Sequence, residues 1–382
     1  MNNIIISGFN VHDNNRGTAA LSYGAVTFLK SKGLLTFGQK LINFQFYLNP
    51  FKKANRGTVS ELINIDGVDW EHITYHIPLY EKYLYLKFGL LLPFFKLQRL
   101  LKTIDLVAAI NGGDGFSDIY GDKTFRMRLK ESELALKYGI KHIILPQTIG
   151  PFSKEENLQT ALEIIRKSFA VYVRDKQFTK VLDEHGLVYN LTADLSYYMN
   201  PQPWDISIPN YSIGINISGL AYSNNFRNLS GQFTHYPELI KSVIEKFSSQ
   251  GHQIYLIPHS YNYNTPEPYN DDLVACKEVY NSLIHKEKIV LVSYDLTSPQ
   301  VKYLISKMRF FIGTRMHANF AAIFTGVPVF GLAYSYKFEG AFNENGIFNR
   351  TAVINNILPN DIPTILDQIY KSYIEDIPQS TI

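Results

Sequence analysis

The chain has 382 residues, 46% of them hydrophobic, enough to build two cores of ordinary domain size and too much for a disordered protein. Its formal net charge of +3 is too weak to argue for a nucleic-acid partner, while small acidic substrates are compatible with it. The single cysteine, Cys276, excludes an intrachain disulfide and a cysteine zinc site, and points to a reducing, cytoplasmic compartment.

Residues 1–9 form a short apolar run without a basic leader or a small-residue cleavage site, so they read as a first strand and not as a signal peptide. Short β-rich runs at 41–47, 73–77, 106–110, 142–146 and 170–173 then alternate with helical spacing at 18–32, 123–138 and 155–167. This alternation predicts an α/β protein with a doubly wound parallel sheet. The apolar stretch 83–101 is interrupted by Lys87, Gly89, Pro93, Lys96 and Arg99, which argues against a membrane-spanning helix. Residues 82–102 hold five basic and no acidic residues among Leu, Phe and Tyr. That is the composition of an interfacial segment drawn to anionic lipid, or of a packed helix whose Lys stems cover apolar surface. The expected location is therefore cytoplasmic, with peripheral contact at the inner membrane face as the further expectation.

Residues 200–210, with three prolines, read as a linker. The strand pattern restarts at 213–217, 253–258, 288–292, 310–312 and 329–333. The expected domains are 1–199, the linker 200–210, and 211–382, with the helical tail 360–382 a candidate for crossing back to the first domain.

Ligands of open parallel sheets sit beyond the carboxyl ends of the strands, so the residues after each strand carry the functional expectation. Most informative is Gly313-Thr314-Arg315-Met316-His317, where a buried strand turns into a helix. Helix N–H groups, an Arg fork and an imidazole together there can grip a carboxylate or phosphate and offer a proton. After the other strands come Asn15-Arg16-Gly17, the glycine-rich segment 112–118 ending in Asp118, Gln147-Thr148, Arg174-Asp175, the loop containing Arg227, and His259. Arg174 leaves a buried strand, so it either pairs with Asp175 or Asp194 or reaches into a cleft. Phosphate-loop, zinc-helix, nucleophile-elbow and dinucleotide-fingerprint motifs are missing from the sequence, and no metal cluster stands out.

Taken in order, these segments resemble the polysaccharide pyruvyltransferase family: Gly112-Gly113-Asp114-Gly115-Phe116-Ser117-Asp118, Pro146 to Pro151, Val173-Arg174-Asp175, Ala193-Asp194, Arg315-Met316-His317 and Ala333 to Lys337. The sequence departs from the family pattern at Asp114, often a third glycine, and at Asn14-Asn15-Arg16, which replaces a more acidic loop. The resemblance implies two facing Rossmann-like domains of GT-B-like architecture with the active site in the interdomain cleft. It also implies transfer of pyruvate from phosphoenolpyruvate onto a sugar diol as a cyclic ketal during surface polysaccharide synthesis, with no cofactor beyond that co-substrate. On this reading Arg315, Met316, Arg174, Arg227 and His259 bind the donor, and His317 and Lys337 carry the chemistry. Asn15, Arg16, Asp118 and Gln147 contact a glycan acceptor, free or lipid-linked. Asp118 and His259 are the candidate bases. A GT-B glycosyltransferase using a nucleotide sugar, with Glu339 as its acidic contact, is the competing reading.

Overall fold

The computed structural model describes residues 3–47, 57–334 and 337–376. The chain divides into two compact units, one of Met1–Asn10 with Leu21–Met199, the other of Val11–Ala20 with Asn200–Ile382.

The first unit holds strands β1 (Asn3–Ser7), β2 (Lys40–Tyr47), β3 (Thr58–Ile65), β4 (Val68–Pro78), β5 (Ile104–Ala109), β6 (Lys141–Gln147), β7 (Ala170–Val173) and β8 (Asn190–Leu191). They lie in the order β3-β4-β2-β1-β5-β6-β7-β8, every pair parallel except the β3/β4 hairpin at the edge. Sequence periodicity passes over β3 because only Ile63 and Ile65 of its eight residues are buried, so it lacks an apolar run. The helical pattern at 123–138 is two helices, Asp122–Arg128 and Lys130–Lys137, broken at Leu129.

The second unit holds β9 (Ile213–Asn216), β10 (Ile254–Leu256), β11 (Ile289–Leu291), β12 (Phe310–Gly313), β13 (Val329–Ala333) and β14 (Thr351–Val353), in the all-parallel order β11-β10-β9-β12-β13-β14. Renumbered within the sheet this is 3-2-1-4-5-6, the Rossmann order, whose reversal point lies between β9 and β12. Alternation of side chains places Ile213, Ile215, Phe310, Ile312, Phe330 and Leu332 in one core and Tyr255, Phe311, Val329 and Ala333 in another. Each fully buried Ile, Leu, Val or Phe among them contributes about 1.5–3 kcal/mol.

Two boundaries differ from the sequence reading. Residues 200–210 are not a free linker, since Trp204, Ile206 and Ile208 pack on the second unit and Gln202 N donates to Pro299 O at 3.0 Å. The C-terminal helix Ile362–Glu375, a candidate for crossing to the first domain, is built into the second unit's core through Ile365, Ile369 and Tyr373.

Candidate functional site

Two segments leave the reversal point of the second sheet side by side, Asn216 to Gly219 after β9 and Thr314 to His317 after β12. A buried carboxylate joins them. Asp272, wholly buried at the start of helix Asp272–Ser282, accepts hydrogen bonds from Gly219 N (2.8 Å), Ser260 N (2.9 Å), His259 N (3.1 Å) and Asn216 Nδ2 (3.3 Å). It also accepts from Arg315 Nη2 at 2.7 Å and Nε at 3.1 Å. Arg315 donates further to Asn270 O and Oδ1 at 3.0 and 2.8 Å, and its own N–H donates to Asn216 Oδ1 at 2.8 Å. Burial opposes the charge on the guanidinium, but Asp272 and Tyr334 together outweigh it and raise the pKa above its ordinary value. Tyr236 braces the same ends, its hydroxyl accepting from Ser218 N at 3.1 Å and meeting Thr314 Oγ1 at 2.7 Å. Gly219 is required here, because a Cβ would fall 2.3 Å from Asp271 O.

Helix Met316–Ile323 begins at this point, with Met316 at its first position and His317 at its second, both half-buried. The first-turn N–H groups of such a helix have no intrahelical acceptor and carry the positive end of its dipole. The His317 ring stands against Gly17, where a Cβ would lie 2.7 Å from its Cβ, Cγ and Nδ1, and packs edge-on to Phe320 at 5.7 Å. His259 is buried beside it, with no hydrogen-bond partner for Nδ1 among the described residues. Desolvation, then the charges of His317, Arg315 and Arg16, lower its pKa well below the ordinary value, so it is a neutral imidazole at pH 7.

The segment Asn14 to Gly17 belongs with these residues, whereas its place in the chain suggests the first domain. Asn15 bridges to Ser260, Arg16 N donates to His259 O at 2.9 Å, and Tyr261 N donates to Asn14 O at 3.0 Å. Asn15 Oδ1 accepts from Gly17 N at 2.9 Å, a cap for helix Arg16–Ser31. Arg16 is structural in its contacts: Nε donates to Leu296 O at 2.7 Å, Nη2 pairs with Asp295 at 2.9 Å, and the guanidinium lies 4.3 Å over the Tyr261 ring.

In the first unit, Arg174 takes the pairing option, bonding Asp194 at 2.7 Å, Asp175 at 3.4 Å and Thr148 Oγ1 at 3.0 Å. Burial opposes its charge and these carboxylates outweigh it, raising its pKa. Asp118 accepts from Ser153 N and Oγ, Lys154 N and Asn157 Nδ2, which ties the loop before helix Glu155–Lys167. Burial alone would raise its pKa; bonds from Asn157, Ser153 and Lys154 outweigh that and lower it. Gln147 is buried and donates to Ala109 O at 2.8 Å and Leu145 O at 3.1 Å. Arg227, in the second unit, is exposed at φ 47° with its guanidinium 4.8 Å over Phe226. Lys337 and Glu339 lie in helix Lys337–Glu344, but their side chains fall outside the described residues.

The structure therefore gathers Arg315, Met316, His317, His259, Asn15 and Arg16 within the second unit, and places Arg174, Asp118 and Gln147 in the first. Sequence reasoning missed the tie made by Asp272 and Asn216. Its one signal was Arg315 itself, a charge directly after a buried strand that demands a carboxylate.

A family model described as polysaccharide pyruvyl transferase matches residues 15–336, which include both strand-end clusters. The chain belongs to this family. Among curated relatives of this pyruvyl transferase, the amylovoran biosynthesis protein AmsJ of Erwinia amylovora is 20% identical over 293 residues, covering 73% of this chain and 68% of AmsJ. Among solved structures, the UDP-GlcNAc 2-epimerase of Methanocaldococcus jannaschii aligns with TM-score 0.55 and 10% identity, over 98% of this chain and 92% of that one. A putative UDP-N-acetylglucosamine 2-epimerase from Listeria monocytogenes aligns with TM-score 0.53 and 13% identity, over 97% and 89%. With the two sheets described above, this likeness establishes a GT-B-like fold of two Rossmann-like domains.

Proposed function

We propose that this pyruvyl transferase takes its pyruvyl group from phosphoenolpyruvate and delivers it to a sugar diol of a surface polysaccharide as a cyclic ketal. The observation that carries the reading is the pairing of His317 with Arg315 at the start of helix Met316–Ile323, at the reversal point of a Rossmann-order sheet. Phosphoenolpyruvate brings a carboxylate and a phosphate on one enol carbon, so its site needs cationic or N–H-rich pockets and one proton donor.

The helix start holds one anionic group, with the charge of Arg315 behind it, and Lys337 is assigned to the phosphate. His317 protonates the methylene carbon, leaving the central carbon oxocarbenium-like. One sugar hydroxyl attacks that carbon, the C–O bond to phosphate breaks, and the second hydroxyl closes the ketal. Of the two hydroxyl protons, one replaces the proton given by His317 and the other leaves with phosphate. His259 suits the base better than Asp118: its Nδ1 has no hydrogen-bond partner among the described residues, whereas the Asp118 carboxylate is bonded by four donors.

Phosphate release from phosphoenolpyruvate in the presence of a panel of sugar diols tests this directly. His317→Ala is expected to lose about a hundredfold to ten-thousandfold in turnover while keeping most donor affinity. Undiminished turnover in that variant would remove His317 as the acid.

A further inference from the structure

Residues 79–103 form an outward feature of the first unit that the transfer chemistry does not use. Helix Leu79–Phe88 ends at Gly89, in the left-handed conformation, and helix Lys96–Leu101 follows after a short turn. One side of the pair is inward: Tyr85 and Leu91 pack on the core, and Leu97, Leu100 and Leu101 are buried. Yet Tyr80, Tyr83, Phe88, Leu90 and Phe94 are between 50% and 68% exposed. Two of these rings seat edge-on against the buried Phe95, Tyr80 at 5.9 Å and Phe94 at 5.1 Å. Lys87 Nζ reaches Tyr83 OH at 3.1 Å and lies 5.5 Å from the Phe88 ring.

The charges are sorted in the same way. Glu81 is the single carboxylate between residues 79 and 103, and it is only 2% exposed, accepting from Lys96 N at 3.0 Å and Leu97 N at 2.9 Å. Its negative charge is thus spent on the start of the second helix, while Lys87, Arg99 and Lys102 are exposed. No helix of the described residues is long and apolar enough to cross a membrane.

We propose that this face docks on an anionic lipid bilayer, with Tyr80, Tyr83, Phe88, Leu90 and Phe94 at the headgroup boundary and Lys87, Arg99 and Lys102 against lipid phosphates. Exposed aromatic rings with Lys87 among them, further exposed cations on the next helix and the one carboxylate of the segment withdrawn match a negatively charged interface. The inference is independent of the pyruvyl chemistry, since vesicle binding needs neither donor nor acceptor.

Co-sedimentation of the full chain with vesicles of phosphatidylcholine alone, and of phosphatidylcholine with phosphatidylglycerol, tests it. Binding is expected with the anionic vesicles, weakening with salt. Lys87→Gln with Arg99→Gln should lower the partition coefficient about thirtyfold, and Phe88→Ser with Phe94→Ser should abolish sedimentation, both without moving the unfolding midpoint. No sedimentation with anionic vesicles, equal binding to both kinds, or loss of exposure through self-association of the chain at this face would overturn the proposal.

Discussion

Replacing Asp272 with asparagine isolates the tie on which the second unit's site depends. The side chain is wholly buried and Arg315 is only 9% exposed, so the substitution leaves a guanidinium inside the protein without its counter-charge. The Asn amide nitrogen must also face one of the donors that Asp272 now satisfies, Gly219 N, Ser260 N, His259 N or the Arg315 fork. Breaking one partner of a buried pair costs about 3–5 kcal/mol. For a unit of this size, roughly 2–4 °C per kcal/mol puts the midpoint about 6–20 °C lower. Thermal unfolding of Asp272→Asn, Arg315→Met and the double variant measures the coupling, and the double variant should lose clearly less than the sum of the two singles. A loss below about 1 kcal/mol in Asp272→Asn, or strict additivity, would refute the tie.

Two other predictions follow from neighbouring geometry. Gly17→Ala should lower both the unfolding midpoint and turnover, because the new Cβ would lie 2.7 Å from the Cβ, Cγ and Nδ1 of His317, and the Cβ cannot be moved aside by turning the ring alone; an unchanged midpoint with normal turnover would mean that the seat is not needed. Burial lowers the pKa of His142 from 6.5 to about 4, so the unfolded chain takes up its proton first, and stability is full above pH 6.5 and lost as pH falls through that window. By pH 5 the loss is about 2 kcal/mol, and buried His259 adds to it in the same direction; a urea midpoint that stays flat from pH 7.5 to 5 would contradict both.

Much of the fold was legible because buried parallel strands are near-continuous apolar runs, as at Phe310 to Ile312 and His142 to Pro146. The edge strand Thr58–Ile65, mostly exposed, and the three-residue Thr351–Val353 carry no such signal. In the site, Arg315 and His317 could be read from a strand turning into a helix, a local pattern. The partner of Arg315 is 43 residues earlier, and Arg16 reaches Asp295 across 279 residues, so no local spacing encodes either. For the same reason chain position says nothing of what the loop after the first strand pairs with: Val11–Ala20 groups with the second unit. Arg174 was legible as a charge needing a partner, and only the fold chose Asp194 and Asp175.

The central claim, that the anion site of this pyruvyl transferase takes phosphoenolpyruvate, is tested most directly by donor binding, which needs no knowledge of the acceptor. Thermal unfolding is measured with phosphoenolpyruvate and, separately, with uridine and guanosine diphosphate sugars. At a hundred times its dissociation constant a ligand stabilises the fold by about 2.7 kcal/mol, a visible rise in midpoint. That rise is expected with phosphoenolpyruvate and not with the nucleotide sugars; a rise with a nucleotide sugar alone would contradict phosphoenolpyruvate as the donor and favour a glycosyltransferase.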